Sequence, residues 1–216
     1  MPELAIAITG ARPVLDAVTP TLALAIRVQN KIADERIQSL ALHCQIRIDA
    51  PLRPYAVHEQ PGLRDLFGEP ARWGRTLKSF LWTHVQTTVP SFTESAQSEL
   101  LVPCTFDFNI ASTKYLHALQ DGDVPLALLF SGSAFYESPD GGLQVAPIPW
   151  TLEAAFKLPV DVWKRVIEQH YPKSAALWVH RDLFDRLDGF RRERGLGTLD
   201  EALDALLSQK NSQRSA

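Results

Sequence analysis

The sequence predicts a mainly β protein with C-terminal helices (α+β), in which an antiparallel β-sandwich precedes a helical segment. Up to Leu158, apolar residues recur at every second position in several segments, which is typical of half-buried strands. After Pro159 they recur at helical spacing. No long helical pattern separates the strands, and a parallel sheet would need such crossover helices. We therefore expect a β-sandwich domain over residues 1–158, a helical C-terminal segment over 159–208 and a disordered tail over 209–216.

The first predicted strands lie before residue 50. Residues 3–8 alternate weakly, whereas residues 21–29 place leucine, isoleucine and valine on one face and alanine, arginine and glutamine on the other. The same rhythm returns over residues 39–48 after a polar link. Two long alternating runs joined by a polar link predict an antiparallel hairpin.

The segment 50–78 interrupts the strand pattern with several prolines and glycines. Leu63, Leu66 and Phe67 predict a short helical turn that ends before Gly68. An ordered excursion of this length between strands is often functional or a packing arm.

The chain contains five tryptophans, and the sequence predicts different roles for them. Trp150 and Trp163 fall on apolar phases and predict core positions. Trp73 lies in the proline- and glycine-rich excursion between Arg72 and Arg75. Because tryptophan and arginine are common anchors of protein interfaces, Arg72, Trp73 and Arg75 are the candidate protein-interaction residues.

Later strand segments share the same alternation; they are residues 77–89, 100–110, 124–136 and 143–158. The stretch SPDGG at 138–142 is a strong turn signal, and residues 112–119 predict a short helix. About seven strands separated by turns favour an antiparallel sandwich or barrel, and we predict an immunoglobulin-like sandwich.

The helical pattern begins at Pro159 and runs through His170, and Pro172 ends it. A short strand is predicted at 175–180. A second helix is expected with Asp182 as its cap and Gly195 past its end.

Thr198 followed by Glu201 has the spacing of a capping box, which predicts the start of a third helix. Its leucines and Ala202 fall on one stripe. Residues 177–207 as a whole, with the pattern DxFxRLxxFRRERG and then TLDEALDALL, resemble a ribbon-helix-helix unit. In that family the strand enters the major groove of DNA. The resemblance implies His180 and Arg181 as nucleic-acid candidates, although acidic and basic residues nearly balance there.

Composition and charge exclude several classes of protein. The chain has 216 residues, 45% hydrophobic and 22% charged, with a formal net charge of −3 and a pI near 6.1. This is ordinary globular composition, without the basic field that nucleic acids or anionic membranes attract. With no signal-like leader and no apolar run of 18 residues, we expect a cytoplasmic protein that has no membrane partner.

Two cysteines, Cys44 and Cys104, fall on inward phases of their strands and form no CxxC pair. A redox pair or metal ligands are the functional interpretations, and two small buried apolar residues are the favoured one. His43, His84 and His117 could be metal ligands only if the fold brought them together. We expect no metal, no cofactor and no catalytic residue.

The nearest approach to paired carboxylates is Asp107 together with Asp121 and Asp123 of a DGD sequence. Acid–base chemistry is one interpretation. A solvated turn is the favoured one, because aspartate and glycine are common turn residues.

Three long stretches carry a resemblance over nearly the whole chain: LFGEPARWGRTLKSFLWTHVQTTVPSF, LVPCTFDFNIASTKYLHALQDGDVPLALLFSGSAFY and WTLEAAFKLPVDVWKRVIEQHYP. They resemble an uncharacterised bacterial protein family of about this length that is associated with gene clusters for nickel–iron hydrogenases. The resemblance implies an accessory or assembly role in hydrogenase production, and it supplies no catalytic residues.

Three hypotheses of function follow. The first is a non-catalytic protein-binding accessory factor whose partner is another polypeptide that pairs with an exposed sheet edge. A second copy of the chain is a further candidate partner. The second hypothesis is a DNA-binding regulator that uses the C-terminal unit. The third is an enzyme whose site is assembled from distant residues, which requires a polar pocket with convergent titratable groups.

Overall fold

The computed structural model describes residues 2–32, 35–106, 110–138, 140–175 and 177–214. The chain divides into two compact units, Met1–Ser174 and Ala175–Ala216. In this division the first C-terminal helix belongs to the first unit, whereas the sequence analysis placed it in the helical segment that begins at residue 159.

The first unit contains eight strands in the described residues: β1 (Leu4–Pro13), β2 (Thr21–Asn30), β3 (Ile37–Ile48), β4 (Phe80–Val89), β5 (Ser95–Pro103), β6 (Asp123–Glu137), β7 (Leu143–Pro147) and β8 (Glu153–Pro159). Its α-helices are α1 (Gln60–Phe67), α2 (Trp73–Thr76), α3 (Ile110–Ala118) and α4 (Val160–His170). The second unit contains α5 (Arg181–Glu193) and α6 (Leu199–Arg214). None of these helices combines the length and the apolar content needed to cross a membrane.

The strands form two antiparallel sheets. One has the order β1-β2-β5, and the other has the order β4-β3-β6-β7, with β8 also pairing with β6. Inward side chains of both sheets belong to one hydrophobic core. The prediction of a mainly antiparallel β fold is confirmed. The immunoglobulin-like arrangement is not confirmed, and helices also lie among the strands rather than only after them.

The predicted hairpin of residues 21–29 and 39–48 is wrong. β2 pairs with β1 and β5, whereas β3 pairs with β4 and β6, so the two strands lie in different sheets. Alternation identifies the face of a strand that is buried, but it does not identify the neighbour that supplies the hydrogen bonds.

The predicted strand 143–158 is two strands, β7 and β8, because the chain turns between Pro149 and Leu152, where the Leu152 amide donates to the Pro149 carbonyl. Trp150 lies in this turn with 84% of its surface exposed, so its predicted core position is wrong. The predicted core position of Trp163 is confirmed. The predicted strand 100–110 ends at Pro103.

The helical elements of the first unit agree with the sequence pattern. α1 buries Leu63 and Phe67 and ends at Gly68, whose φ of 73° favours glycine. Residues 112–119 correspond to α3. Pro159 caps α4, which buries five apolar residues in the hydrophobic core.

The second unit departs from the sequence pattern at both ends. The described residues of the predicted strand 175–180 form no strand, and His180 rather than Asp182 is the N-cap of α5. Gly195 follows the helix with a φ of 65°, as expected. α6 continues to Arg214, past the predicted start of the tail at residue 209.

The capping box at the start of α6 is present in altered form. The Glu201 amide donates to the Thr198 hydroxyl at 3.2 Å, as the motif requires. The Glu201 carboxylate accepts from the Gly197 amide at 2.8 Å, one residue earlier than the motif specifies.

Gly132 on β6 marks a close approach between β6 and β3. Its φ is 133°, and a Cβ there would overlap the carbonyl oxygen of Ala41.

We expect Gly132→Ala to lower the free energy of unfolding by about 3 kcal/mol, because backbone strain and steric overlap act together. Chemical denaturation measures the loss. Gly10→Ala is the control, since a Cβ at Gly10 meets nothing within 4 Å; equal stabilities of the two variants would contradict the assignment.

Candidate functional site

A cleft of about 570 Å³, lined by both apolar and charged residues, opens beside the excursion between β3 and β4. Residues 52–59 form one wall, and residues 121–125, which end the link after α3 and begin β6, form the other. Lys157 of β8 lies at the same cleft. Segments far apart in sequence thus bring several titratable side chains together.

Arg53 and Glu59 form a buried ion pair in this cleft. Arg53 follows a 3-10 turn, Ala50–Leu52, and Glu59 is the N-cap residue of α1. The chain between them folds back, so the two guanidinium Nη atoms each lie 2.8 Å from a carboxylate oxygen. Arg53 is 7% exposed and Glu59 is 2% exposed, so neither charge is solvated by bulk water.

Every N–H of the Arg53 guanidinium has an acceptor within the chain. Beside the two bonds to Glu59, Nη1 donates to the Pro54 carbonyl at 3.2 Å and Nη2 to the Asp121 carbonyl at 2.7 Å. Nε donates to the Asp123 carbonyl at 3.2 Å. Arginine has five such donors, so its capacity is filled. Burial by itself would lower the pKa of Arg53, but Glu59 raises it, and the side chain stays protonated.

Glu59 is equally well satisfied. Besides Arg53, its carboxylate accepts from the backbone amide of Gln120 at 2.9 Å and from that of Ala56 at 3.1 Å. Burial opposes ionisation, but these hydrogen bonds outweigh it and lower the pKa of Glu59 to about 2. The carboxylate is therefore ionised at neutral pH.

Two tyrosines extend the network into the core. The hydroxyls of Tyr55 and Tyr115 lie 2.8 Å apart, and the Tyr55 hydroxyl donates to the Ala50 carbonyl at 2.8 Å. The Arg53 guanidinium lies 5.2 Å from the centre of the Tyr55 ring. Burial raises the pKa of both phenols, so both are protonated at neutral pH.

The chemistry of the cluster follows from this saturation. A general base needs an oxygen that is free to accept a substrate proton, and a substrate-binding arginine needs a free N–H. Glu59 and Arg53 use these groups to attach the excursion to the backbone of residues 120–123. We therefore interpret the pair as a structural clamp, which leaves Asp121, Asp123 and Lys157 as exposed charges at the cleft.

Sequence reasoning missed Arg53 and Glu59. The nearby prolines indicate an ordered turn, but they do not indicate an ion pair; they are Pro51, Pro54 and Pro61. Five of the polar partners are backbone groups, which carry no signature in the sequence. One signal in the sequence could have suggested the clamp: two residues of opposite charge lie close together in a proline-rich segment that is expected to be ordered.

The predicted interaction residues Arg72, Trp73 and Arg75 lie at the start of α2 and just before it. Both arginines are exposed. Trp73 is half-buried: its indole N–H donates to the Gly68 carbonyl at 2.9 Å, and its ring packs edge-on against Tyr55 at 5.3 Å. Trp73 thus has a packing role whether or not it also contacts a partner.

The predicted nucleic-acid residues lie at the beginning of α5. His180 caps the helix and is exposed. The Arg181 guanidinium, with 89% of its side chain exposed, lies 3.9 Å from the Asp185 carboxylate.

The three candidate histidines are placed on two kinds of element. His43 on β3 and His84 on β4 occupy diagonal positions of neighbouring strands. His117 is on α3, stacked on Phe106 and edge-on to Trp163. Within the described ranges, no group of three or more histidine, cysteine, aspartate or glutamate side chains is placed to hold a metal ion.

The two cysteines and the DGD sequence are consistent with the interpretations favoured from the sequence, which are buried apolar residues and a turn. Cys44 and Cys104 are free and buried, and burial raises the pKa of each thiol to about 12. Asp121 and Asp123 flank Gly122, whose φ of 72° makes the turn. Asp107 lies outside the described residues.

A second surface feature is the edge of the larger sheet at β7. Among the described strands, β7 pairs only with β6. Leu143 and Val145 share one face of β7 and are 65% and 58% exposed, and the strand LQVAP carries no charge. Trp150 follows in the next turn.

The other sheet edges are covered or interrupted. The β4 edge lies beside β5, where the hydroxyls of Thr87 and Ser98 are 3.4 Å apart. β8 lies against β1. β1 itself has a register shift between Ile8 and Gly10, and its Arg12 pairs with Glu99. Interruptions and charges of this kind protect sheet edges from pairing with other chains.

Comparisons with known proteins yield a family and a set of weak structural likenesses. The model of a family of unknown function matches residues 1–215. No match was found among curated proteins.

Among solved structures, IrmA from Escherichia coli is 11% identical, with 83% of this chain and 99% of that chain covered and a TM-score of 0.34. A putative ApaA protein from Bordetella pertussis is 15% identical, with 73% and 93% covered and a TM-score of 0.24. A putative late embryogenesis abundant protein is 17% identical, with 75% of each chain covered and a TM-score of 0.29. All three TM-scores are below 0.5, so these likenesses carry no argument about function.

The clamp can be tested by neutralising its acid. We expect Glu59→Gln to lower the free energy of unfolding by about 3 kcal/mol at pH 7, because it leaves the buried Arg53 charge uncompensated. Denaturant titration measures the loss. The matched control is Glu69→Gln, whose carboxylate lies 3.5 Å from Arg64 with 65% of its side chain exposed. Such an exposed pair contributes about 0–1 kcal/mol.

The same clamp has a pH signature. The pKa of Glu59 is lowered from 4.5 to about 2 in the folded chain, so its stabilisation is fully present above pH 4.5. It is lost as the pH falls towards 2. The stability difference between the unchanged chain and Glu59→Gln should therefore shrink across this window. A difference that stays constant from pH 7 to pH 2 would refute the assignment.

Proposed function

The chain belongs to DUF6084, a family of unknown function, and we propose that this member is a non-catalytic protein-binding module that docks a partner polypeptide on the open edge of β7. The observation that carries the proposal is an uncharged edge strand with two large apolar side chains more than half exposed. An edge of this kind presents unpaired backbone groups to an added strand.

The chemistry of the edge indicates the kind of partner. An added strand gains main-chain hydrogen bonds to β7, and its alternate side chains pack beside Leu143 and Val145. The partner segment is therefore an extended, apolar stretch of about five residues. Trp150, whose ring is largely solvated, supplies an aromatic anchor of the type that interfaces favour.

The biological setting is also part of the proposal. The resemblance to a family associated with hydrogenase gene clusters supports an accessory or assembly role in hydrogenase production, in the cytoplasm. A factor that holds an exposed strand of an unassembled subunit would protect that strand from wrong pairing until assembly. Arg72 and Arg75, both exposed, are proposed as further contacts to the partner.

The two alternatives have less support. A DNA-binding role requires a net positive surface, but the second unit contains seven basic and seven acidic residues. An enzymatic role would have to use the exposed charges at the cleft, Asp121, Asp123 and Lys157, because the buried pair of Arg53 and Glu59 is saturated by the chain itself.

The test is a pair of charged substitutions on β7. We expect Leu143→Lys combined with Val145→Lys to weaken partner binding by roughly tenfold or more, about 1.4 kcal/mol, because lysine blocks pairing at sheet edges. The partner is captured from the native host with tagged chain, and its affinity is then measured with the purified proteins.

The matched control is Leu101→Lys on β5, where a leucine 52% exposed lies on the other sheet. It should retain full affinity. Equal binding by the β7 variant and the unchanged chain would overturn the proposed docking edge.

A further inference from the structure

The end of α4 is joined to the loop between β1 and β2 by two neighbouring side chains. The Gln169 side-chain amide donates to the Leu15 carbonyl at 2.6 Å, and Nε2 of the His170 ring lies 2.9 Å from the Ala17 carbonyl oxygen. All of these residues belong to the first unit. The loop, residues 14–20, is therefore attached to the helix at two of its carbonyls.

His170 faces a backbone carbonyl at each of its ring nitrogens. Nδ1 lies 3.1 Å from the Val166 carbonyl oxygen of the same helix, while Nε2 faces Ala17. A carbonyl oxygen only accepts, so each ring nitrogen must donate if both contacts are to be hydrogen bonds. A neutral imidazole has one N–H and one lone pair, whereas the imidazolium has two N–H groups. Only the doubly protonated ring therefore satisfies both carbonyls.

The position of the ring acts in the same direction. His170 is the last residue of α4, where the final carbonyls of a helix carry partial negative charge and stabilise a cation. The ring is also half-buried. Water therefore replaces a lost hydrogen bond less readily here than at an exposed site.

We propose that His170 is a proton-operated latch. The ring with two N–H groups fixes the middle of the β1–β2 loop to α4, and the ring with one N–H loosens it. The neutral ring can donate to Val166 or to Ala17 but not to both, and its lone pair repels the other carbonyl. Gln169 keeps its contact with Leu15 in both states, because an amide does not titrate.

The charged groups of α4 itself make other contacts. Asp161 pairs with Arg165, and the Lys164 ammonium donates to a backbone carbonyl after α3. The Glu168 carboxylate accepts from the backbone amide of Lys173. These contacts do not involve the two carbonyls that the latch uses.

Charged groups of the neighbouring elements could also favour the imidazolium. α4 packs against β1, β2 and β8, and the charged residues of these strands are Arg12, Arg27, Glu153 and Lys157. Arg12 pairs with Glu99 of β5. In the loop, Asp16 directly precedes Ala17 and is exposed. It is the carboxylate nearest to Ala17 along the chain, so the test must separate its effect from that of His170.

The experiment is hydrogen–deuterium exchange of the full chain, followed on peptides that cover residues 14–21. The Val14 amide donates to the Thr21 carbonyl at 3.0 Å and closes the base of the loop. Histidine changes charge between about pH 5 and pH 8, so exchange is measured at both limits and corrected for the intrinsic rate. We expect protection of this segment to be roughly tenfold higher at the lower pH, because a hydrogen bond from a charged donor is lost at the higher pH.

His170→Gln tests the assignment to this side chain. Glutamine keeps a side-chain donor but does not titrate, so protection of the loop should be the same at both pH values. Proton–nitrogen correlation spectra of the unchanged chain give a second readout. They should show protons on both ring nitrogens of His170 under the conditions in which the loop is protected.

The matched controls are Gln169→Ala and Asp16→Asn. Gln169→Ala removes the contact that does not titrate, so it should lower protection at both pH values and keep the pH dependence. Asp16→Asn removes the nearby carboxylate and should also keep the dependence. The proposal is overturned if the unchanged chain is equally protected at both pH values, if His170→Gln retains the dependence, or if Asp16→Asn abolishes it. Because β7 belongs to the other sheet, none of these outcomes decides whether its edge docks a partner.

Discussion

The ion pair between Arg53 and Glu59 holds the excursion between β3 and β4, whose path the strand pattern in the sequence does not predict. The excursion between β3 and β4 has few strand contacts of its own, and the clamp attaches it to the backbone of residues 120–123. A buried ion pair is a costly solution, because both charges lose their water. Complete hydrogen bonding offsets that loss here, and the clamp holds the excursion in place together with the buried Leu63 and Phe67 of α1.

The sequence predicted burial better than it predicted pairing. The alternating residues of β2 and β3 lie in the core as expected, yet the strands belong to different sheets, since apolar periodicity does not encode the hydrogen-bonding neighbour. Trp150 shows the converse error. It continues the apolar phase of β8, but two nearby prolines and a turn remove it from the sheet, and periodicity alone cannot detect this change of direction.

The candidate sites show the same difference between what the sequence predicts and what it does not. Residues that act through backbone groups, such as Arg53 and Glu59, leave little trace in the sequence, because any residue supplies a carbonyl or an amide. In the second unit, a glycine signal located the end of α5 and a threonine signal located the beginning of α6, whereas the beginning of α5 and the end of α6 were missed. The expected strand at 175–180 was not found in its described residues, since a strand depends on a neighbour that local sequence does not supply.

The position of β6 has a consequence for synthesis of the chain. This strand joins β3 on one side to β7 and β8 on the other, and Leu40 pairs with Ala134. During translation, β3 and β4 are made long before β6. The central part of their sheet therefore cannot form until β6 has been synthesised. Such long-range pairing slows folding and leaves apolar strands unprotected in the interval. The nascent chain should thus depend on ribosome-associated chaperones until Glu137 has left the exit tunnel.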